Sequence, residues 1–206
     1  MPLRSSALKS LRTVKDFVSV SADFYIGMAM ALLLLPLPWL CALLLSSFVH
    51  ELCHYLALRY TGCRVTAIHI SLKGAFMETD RLTFGKEAFC AYAGPVGALA
   101  LLLFARLLPR TAVCVLMQSA YNLIPVFPLD GGRGLGCLLK RLFGEAKGSR
   151  IFACMEALTL LGIVILATYS VIKLGLGLLP ALIAVILVVR NKKINIPCKK
   201  KPLGLQ

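Results

Sequence analysis

A long apolar stretch, residues 17–60, is the feature that most constrains the fold of this chain. At 1.5 Å per residue, one helix of that length would be roughly twice as long as the hydrocarbon core of a bilayer is thick. Pro36 and Pro38 interrupt the stretch, and proline breaks a helix interior. We therefore expect two membrane spans that fold back on each other, at residues 17–35 and 38–60.

Composition agrees with a membrane protein and argues against two other classes. Of the 206 residues, 59% are apolar and 16% are charged, whereas a soluble domain is about a quarter charged. The net charge of +14 first suggests a polyanion as partner. A nucleic-acid binder, however, does not need long uncharged stretches, so no nucleic-acid partner is expected. The eight cysteines form no CxxC pair, and we interpret them as reduced, small apolar residues.

Four further apolar segments predict spans at residues 87–108, 111–129, 150–174 and 176–189, which gives six in all. With six spans, nearly all of the 23 basic residues fall on one side of the membrane. Because positive loops stay inside, both termini are expected on the cytoplasmic side of a bacterial, cytoplasmic-type membrane. The mouth of the candidate active site, whose residues are given below, is expected on the same side.

The segment between the second and third spans is polar and mixed. Residues 66–72 alternate apolar and polar side chains, which predicts a strand, and a second strand is expected at 74–79. A plain amphipathic loop is the alternative. The expected fold is an all-α polytopic membrane protein of about six transmembrane helices with a small β-hairpin or sheet. It forms one domain, 1–206, with a transmembrane core at 17–189 and a basic cytoplasmic tail at 190–206.

The second span carries the sequence His-Glu-x-x-His at His50, Glu51 and His54. Residues four apart share one face of a helix, so both imidazoles can reach one zinc ion. Glu51 is rotated away from that face but stays close enough to act as a general base. The alternative is two polar histidines packed inside a helix bundle.

A catalytic zinc needs a third protein ligand, and candidates are few. Asp130 is the only acid between Glu87 and Glu145. It follows Pro125 and Pro128, which should end a helix, and non-helical backbone at membrane depth is tolerated where it lines a cavity. The alternative is a surface Asp–Gly turn at a helix end.

Taken together, HELCH at 50–54, NLIPVFPLDGG at 122–132 and AGPVG at 93–97 resemble the site-2 family of intramembrane zinc metalloproteases. The resemblance is strongest to the sporulation branch, whose member cleaves a membrane-tethered pro-sigma factor. It implies one zinc per chain on His50, His54 and Asp130, with Glu51 as catalytic base. Asn122 matches the family asparagine thought to polarise the scissile carbonyl. The PDZ and CBS domains found in some members are not expected in this chain.

An extended substrate could pair with the edge of the predicted strand. Ile68, Ile70, Pro125 and Pro128 are the candidate substrate-binding residues. His69 is interpreted as an ordinary strand residue rather than a fourth ligand.

The expected partners are a membrane-embedded or membrane-tethered protein substrate and the lipid bilayer. A membrane inhibitor or scaffold protein and a second copy of the chain are further candidates. Glu156 is expected to be solvated near a membrane interface. Alternative functions are a non-catalytic metal-binding membrane protein or transporter, or a site-2-type protease acting on anti-sigma factors or remnant signal peptides.

Overall fold

The computed structural model describes residues 18–71, 74–80, 82–174 and Val185. The predicted sixth span, apart from Val185, and the basic tail lie outside the described residues. The chain divides into two compact units, Met1–Leu123 and Ile124–Gln206, and each is described by itself.

The first unit combines helices with a small sheet. Its elements, in chain order, are β1 (Val18–Val20), α1 (Ala22–Leu34), α2 (Leu37–Tyr60), β2 (Val65–Ser71), β3 (Gly74–Thr79), α3 (Phe84–Ala98), which continues as a 3₁₀ segment (Leu99–Phe104), and α4 (Pro109–Asn122). Pro36 caps α2, so the predicted break between the first two apolar helices is confirmed.

The sheet has the strand order β1-β2-β3. Strands β2 and β3 pair antiparallel as a hairpin, with Ile70 opposite Ala75, so the predicted pair of strands is confirmed. The strand β1 pairs in parallel with the other side of β2, with Val18 opposite Ile68 and Val20 opposite Ile70. This third strand was not predicted, because its three residues are too few to show alternation.

Helix α2 packs closely against α3 at two glycines. A Cβ atom at Gly97 would lie 2.6 Å from the Sγ atom of Cys53, and one at Gly94 would overlap the ring of His54. The two helices can approach this closely only because these positions lack side chains, as is usual where helices pack within membranes. Pro95 lies inside α3, and its carbonyl accepts a hydrogen bond of 2.9 Å from the buried Ser119 hydroxyl of α4.

The second unit begins with a non-helical loop, residues 124–129, followed by α5 (Asp130–Phe143) and α6 (Glu145–Leu174). Gly144 joins the two helices with φ of 80°, a left-handed conformation that favours glycine. A Cβ atom at Gly148 would lie 2.5 Å from the carbonyl oxygen of Leu139, so a glycine is needed where α6 leaves α5.

Three of the described helices are long and apolar enough to cross a membrane: Leu37–Tyr60, Phe84–Phe104 and Glu145–Lys173. The six-span count is therefore not confirmed. The predicted first span begins instead as strand β1, and its helix α1 has 13 residues. In the predicted fourth span, 111–129, the helix ends at Asn122, seven residues before the predicted end. Helix α5, which falls between two predicted spans, is not predicted from the sequence, because four of its first seven residues are glycines, which disfavour a helix.

Candidate metal centre

Two histidines of α2, His50 buried and His54 half-buried, bring their ring nitrogens together. The Nε2 atoms of His50 and His54 lie 3.1 Å apart, and His50 is only 3% exposed. Two nitrogen ligands at ~2.0–2.1 Å from a tetrahedral zinc ion lie about 3.4 Å apart. The spacing and direction of the two rings therefore fit a shared metal ion.

A backbone carbonyl of α3 fixes the orientation of the His54 ring. Its Nδ1 atom lies 2.8 Å from the carbonyl oxygen of Cys90. Because a carbonyl can only accept, Nδ1 carries the proton and donates it, which leaves the lone pair on Nε2. A ligating histidine usually has such a second partner, which sets both its tautomer and its ring plane. Gly94 lies directly against the same ring.

Glu51 points from α2 towards the start of β3. Its Oε1 atom accepts a long hydrogen bond, 3.4 Å, from the backbone N–H of Ala75, and Gly74 lies beside the same oxygen. The sheet therefore contacts the predicted general base directly. In this motif, the glutamate that follows the first histidine is the expected general base.

Asn122, the last residue of α4, lies on the side of His50. Its Nδ2 atom is 3.5 Å from His50 Nε2. One helical turn earlier on both helices, the hydroxyl of Ser46 donates to Oε1 of Gln118 at 2.6 Å, and Ser46 is fully buried. Two polar contacts, four residues apart on each helix, thus set α4 against α2 at the level of the histidines.

Asp130 belongs to the second unit, where it is the first residue of α5. A carboxylate in the first turn is favoured by the helix dipole. With His50 and His54, Asp130 completes, by residue type, the ligand set predicted from the sequence. Two imidazoles and one carboxylate are a donor set found in catalytic zinc sites, so the residue types fit zinc.

Glu156 is the one predicted position that the structure corrects. It is not merely solvated, because its Oε1 atom accepts a hydrogen bond of 2.7 Å from the backbone N–H of Phe127. The sequence offered a signal, namely an acid within an apolar helix, which usually marks function. Its partner could not be found that way, since a backbone amide leaves no mark in a sequence.

The predicted substrate-binding residues fall in both units. Ile68 and Ile70 lie on β2, where each is opposite a residue of β1. Pro125 and Pro128 are half-buried in the loop before α5. His69 has its own partners, with Ser19 at Nδ1 and Glu78 3.3 Å from Nε2. Those contacts are consistent with the interpretation of His69 as an ordinary strand residue.

The described residues thus combine three helices of membrane-spanning length, a small sheet and a histidine pair whose spacing fits a metal ion. No protein-family model matches the sequence. In fold, the chain is similar to the site-2 protease from Methanocaldococcus jannaschii, with a TM-score of 0.57 and 21% identity, over 85% of this chain and 89% of that one.

In sequence, the chain is similar to a zinc metalloprotease of the same organism, with 31% identity over 126 residues. That match covers 54% of this chain and 37% of the relative, so the chain spans little more than a third of the curated relative. The chain thus shares its fold with a site-2 protease, and part of its sequence is similar to that of a zinc metalloprotease.

Proposed function

We propose that this protein is an intramembrane zinc endopeptidase of the site-2 type, which hydrolyses a peptide bond in or near the transmembrane segment of a membrane-tethered protein. The observation that carries the proposal is the His50–His54 pair. Their Nε2 atoms lie 3.1 Å apart, and the Cys90 carbonyl holds the His54 tautomer that a metal needs.

His50, His54 and Asp130 would hold one zinc ion per chain. Zinc supplies Lewis-acid chemistry, which polarises a peptide carbonyl and makes water more acidic at neutral pH. The protein around it contributes burial, since His50 is almost inaccessible to solvent. A water-poor site strengthens each electrostatic interaction within it.

Glu51 would move the proton. Its carboxylate takes a proton from the attacking water and returns it to the leaving amine, the two tasks of a general base and then a general acid. The contact between Ala75 and Glu51 Oε1 holds the carboxylate in place. Asn122 Nδ2, beside His50, would donate a hydrogen bond to the carbonyl oxygen as negative charge develops on it.

A helical substrate must unwind, because its carbonyls are bonded within the helix. We place the unwound segment along β2, at Ile68 and Ile70, and next to Pro125 and Pro128. Since β1 already pairs with β2, a substrate strand on that side has to displace it. The substrate class we favour is a membrane-tethered pro-sigma factor, with anti-sigma factors and remnant signal peptides as the runner-up.

Membrane topology belongs to the same proposal. The six-span arrangement would form one membrane-embedded domain in a bacterial membrane, with both termini and the mouth of the site facing the cytoplasm. Its support is the sidedness of the basic residues.

The test uses the full chain, reconstituted in lipid vesicles with a single-span fusion protein that carries a pro-sigma segment. We expect the wild type to contain about one zinc per chain and to cleave the fusion. Glu51→Gln should keep the zinc and lose about 10²–10⁴-fold in rate, whereas Asp130→Ala should lose the metal. The matched control is Glu145→Gln, an acid at the exposed start of α6. Cleavage by Glu51→Gln at the wild-type rate would overturn the proposal, and a metal bound without cleavage of any single-span probe would favour a non-catalytic metal-binding protein.

A further inference from the structure

Glu156 holds the loop that leads to Asp130. It is the twelfth residue of α6, within an apolar helix, and its side chain is half-buried. A carboxylate in such a helix is costly unless it is hydrogen-bonded. Here its Oε1 atom accepts from the backbone N–H of Phe127 at 2.7 Å, a charge-assisted bond.

The Phe127 amide uses the Glu156 side chain as its acceptor, whereas two other amides of the loop bond backbone carbonyls. Pro125 and Pro128 have no N–H to donate. The N–H of Val126 donates to the Ile124 carbonyl at 2.8 Å, and that of Leu129 donates to the Val126 carbonyl at 2.9 Å. The N–H of Phe127 donates to Glu156 instead of to the backbone. At membrane depth, an amide without an acceptor is costly.

The same loop supports the first turn of α5. A Cβ atom at Gly132 would overlap the backbone carbonyl of Val126 and lie close to the Phe127 nitrogen. The main chain at 126–127 therefore touches the helix that Asp130 begins, and Val126 is completely buried. A shift of Phe127 has to move the start of α5 as well.

We propose that Glu156 is a positioning residue for Asp130. Through the Phe127 amide it fixes the loop, and through the loop it fixes the first turn of α5, where the carboxylate ligand lies. In this proposal Glu156 acts on the ligand through the loop and is not itself a ligand. The inference rests on the proposed function in one respect, that Asp130 is a zinc ligand.

The experiment compares Glu156→Ala and Glu156→Gln in the full chain in detergent, with Glu145→Ala as the matched control. Loss of a group that orients a ligand typically weakens metal affinity about 10–100-fold, and we expect a loss of that size in Glu156→Ala, measured by competition with a zinc chelator. Hydrogen exchange of the peptide containing Phe127 should also become faster. Glu156→Gln keeps an oxygen acceptor, so its zinc affinity and its exchange rate at Phe127 should stay near those of the wild type. If Glu156→Ala does not accumulate, Glu156→Asp, one methylene shorter, should change both measurements in the same direction.

Two results would each overturn this inference and leave the proposed function standing. One is unchanged exchange at Phe127 in Glu156→Ala. The other is faster exchange with unchanged zinc affinity, in a chain where Asp130→Ala does lose zinc. Full zinc retention by Asp130→Ala would instead remove Asp130 from the ligand set, and the proposed function in its present form would fail together with this inference.

Discussion

The Nδ1 atom of His54 lies 2.8 Å from the carbonyl oxygen of Cys90, so a backbone group of one helix sets the protonation of a candidate metal ligand on another. The carbonyl belongs to α3, four residues before Gly94, whose missing side chain gives the ring its space. The position of α3 along α2 therefore decides whether His54 presents a lone pair or a proton to the centre.

Gly94→Ala should weaken zinc binding without changing any ligand. The added Cβ atom would overlap the His54 ring, so the ring must tilt away and lose its bond to Cys90. We expect zinc affinity to fall at least about 10-fold, measured by chelator competition. Gly162→Ala is the control, because a Cβ atom there meets nothing within 4 Å. Equal zinc affinity in the two variants would show that Gly94 does not support the ring.

Breaking the bond between Ser46 and Gln118 should loosen α4 against α2. Hydrogen bonds between helices in membranes contribute about 0.6 kcal/mol on average, and we expect a coupling energy of that order from the double-mutant cycle of Ser46→Ala and Gln118→Leu. The measurement is unfolding in mixed micelles. Ser47→Ala, the neighbouring serine on α2, is the control, and additive effects of the two substitutions would contradict the prediction.

Removing zinc should lower thermal stability as well as activity. A ligand present at 100 times its Kd stabilises the folded state by about 2.7 kcal/mol, and a chelator withdraws that contribution. We expect a lower Tm on chelation and full recovery when zinc is returned. The same treatment should leave the Tm of the His54→Ala variant unchanged, and a chelator-induced drop of wild-type size in that variant would argue against the histidine pair as the site.

A disulfide between β1 and β2 should slow cleavage if substrates pair with β2. Val18 lies opposite Ile68, so Val18→Cys together with Ile68→Cys would lock β1 in place. We expect slow cleavage when oxidised and recovery on reduction. The control locks the hairpin instead, with Ala67→Cys and Glu78→Cys, which are partners on β2 and β3. Wild-type cleavage by the oxidised β1 lock would rule out pairing along that side of β2.

Several parts of this fold follow from the sequence because their causes are local. The prolines at 36 and 38 stop one helix and start another, and the alternation at 66–72 predicts the strand found at Val65–Ser71, since each depends on neighbouring residues only. The pairing of His50 and His54 also follows, because helical geometry relates residues four apart.

Other parts do not follow, since they depend on contacts between distant segments. Strand β1 exists through its pairing with β2, about 50 residues away, and its three residues show no pattern of their own. His54 bonds to the backbone carbonyl of Cys90, and Glu156 bonds to the backbone N–H of Phe127. Every residue carries a backbone carbonyl, and every residue except proline carries a backbone N–H, so neither partner is marked in the sequence. Sequence could point to the ionisable member of each pair, but not to its partner.

One row of residues crosses the sheet from the strand before the first helix to the carboxylate of Glu51. Val20 lies opposite Ile70, Ile70 lies opposite Ala75, and the N–H of Ala75 reaches Oε1 of Glu51. Ser21, which precedes α1, also bonds the Ile70 carbonyl through its backbone and its hydroxyl. A force on α1 must therefore either separate the three residues of β1 from β2 or be transmitted through the sheet to Glu51. The position of the first helix and the position of the Glu51 carboxylate are therefore coupled.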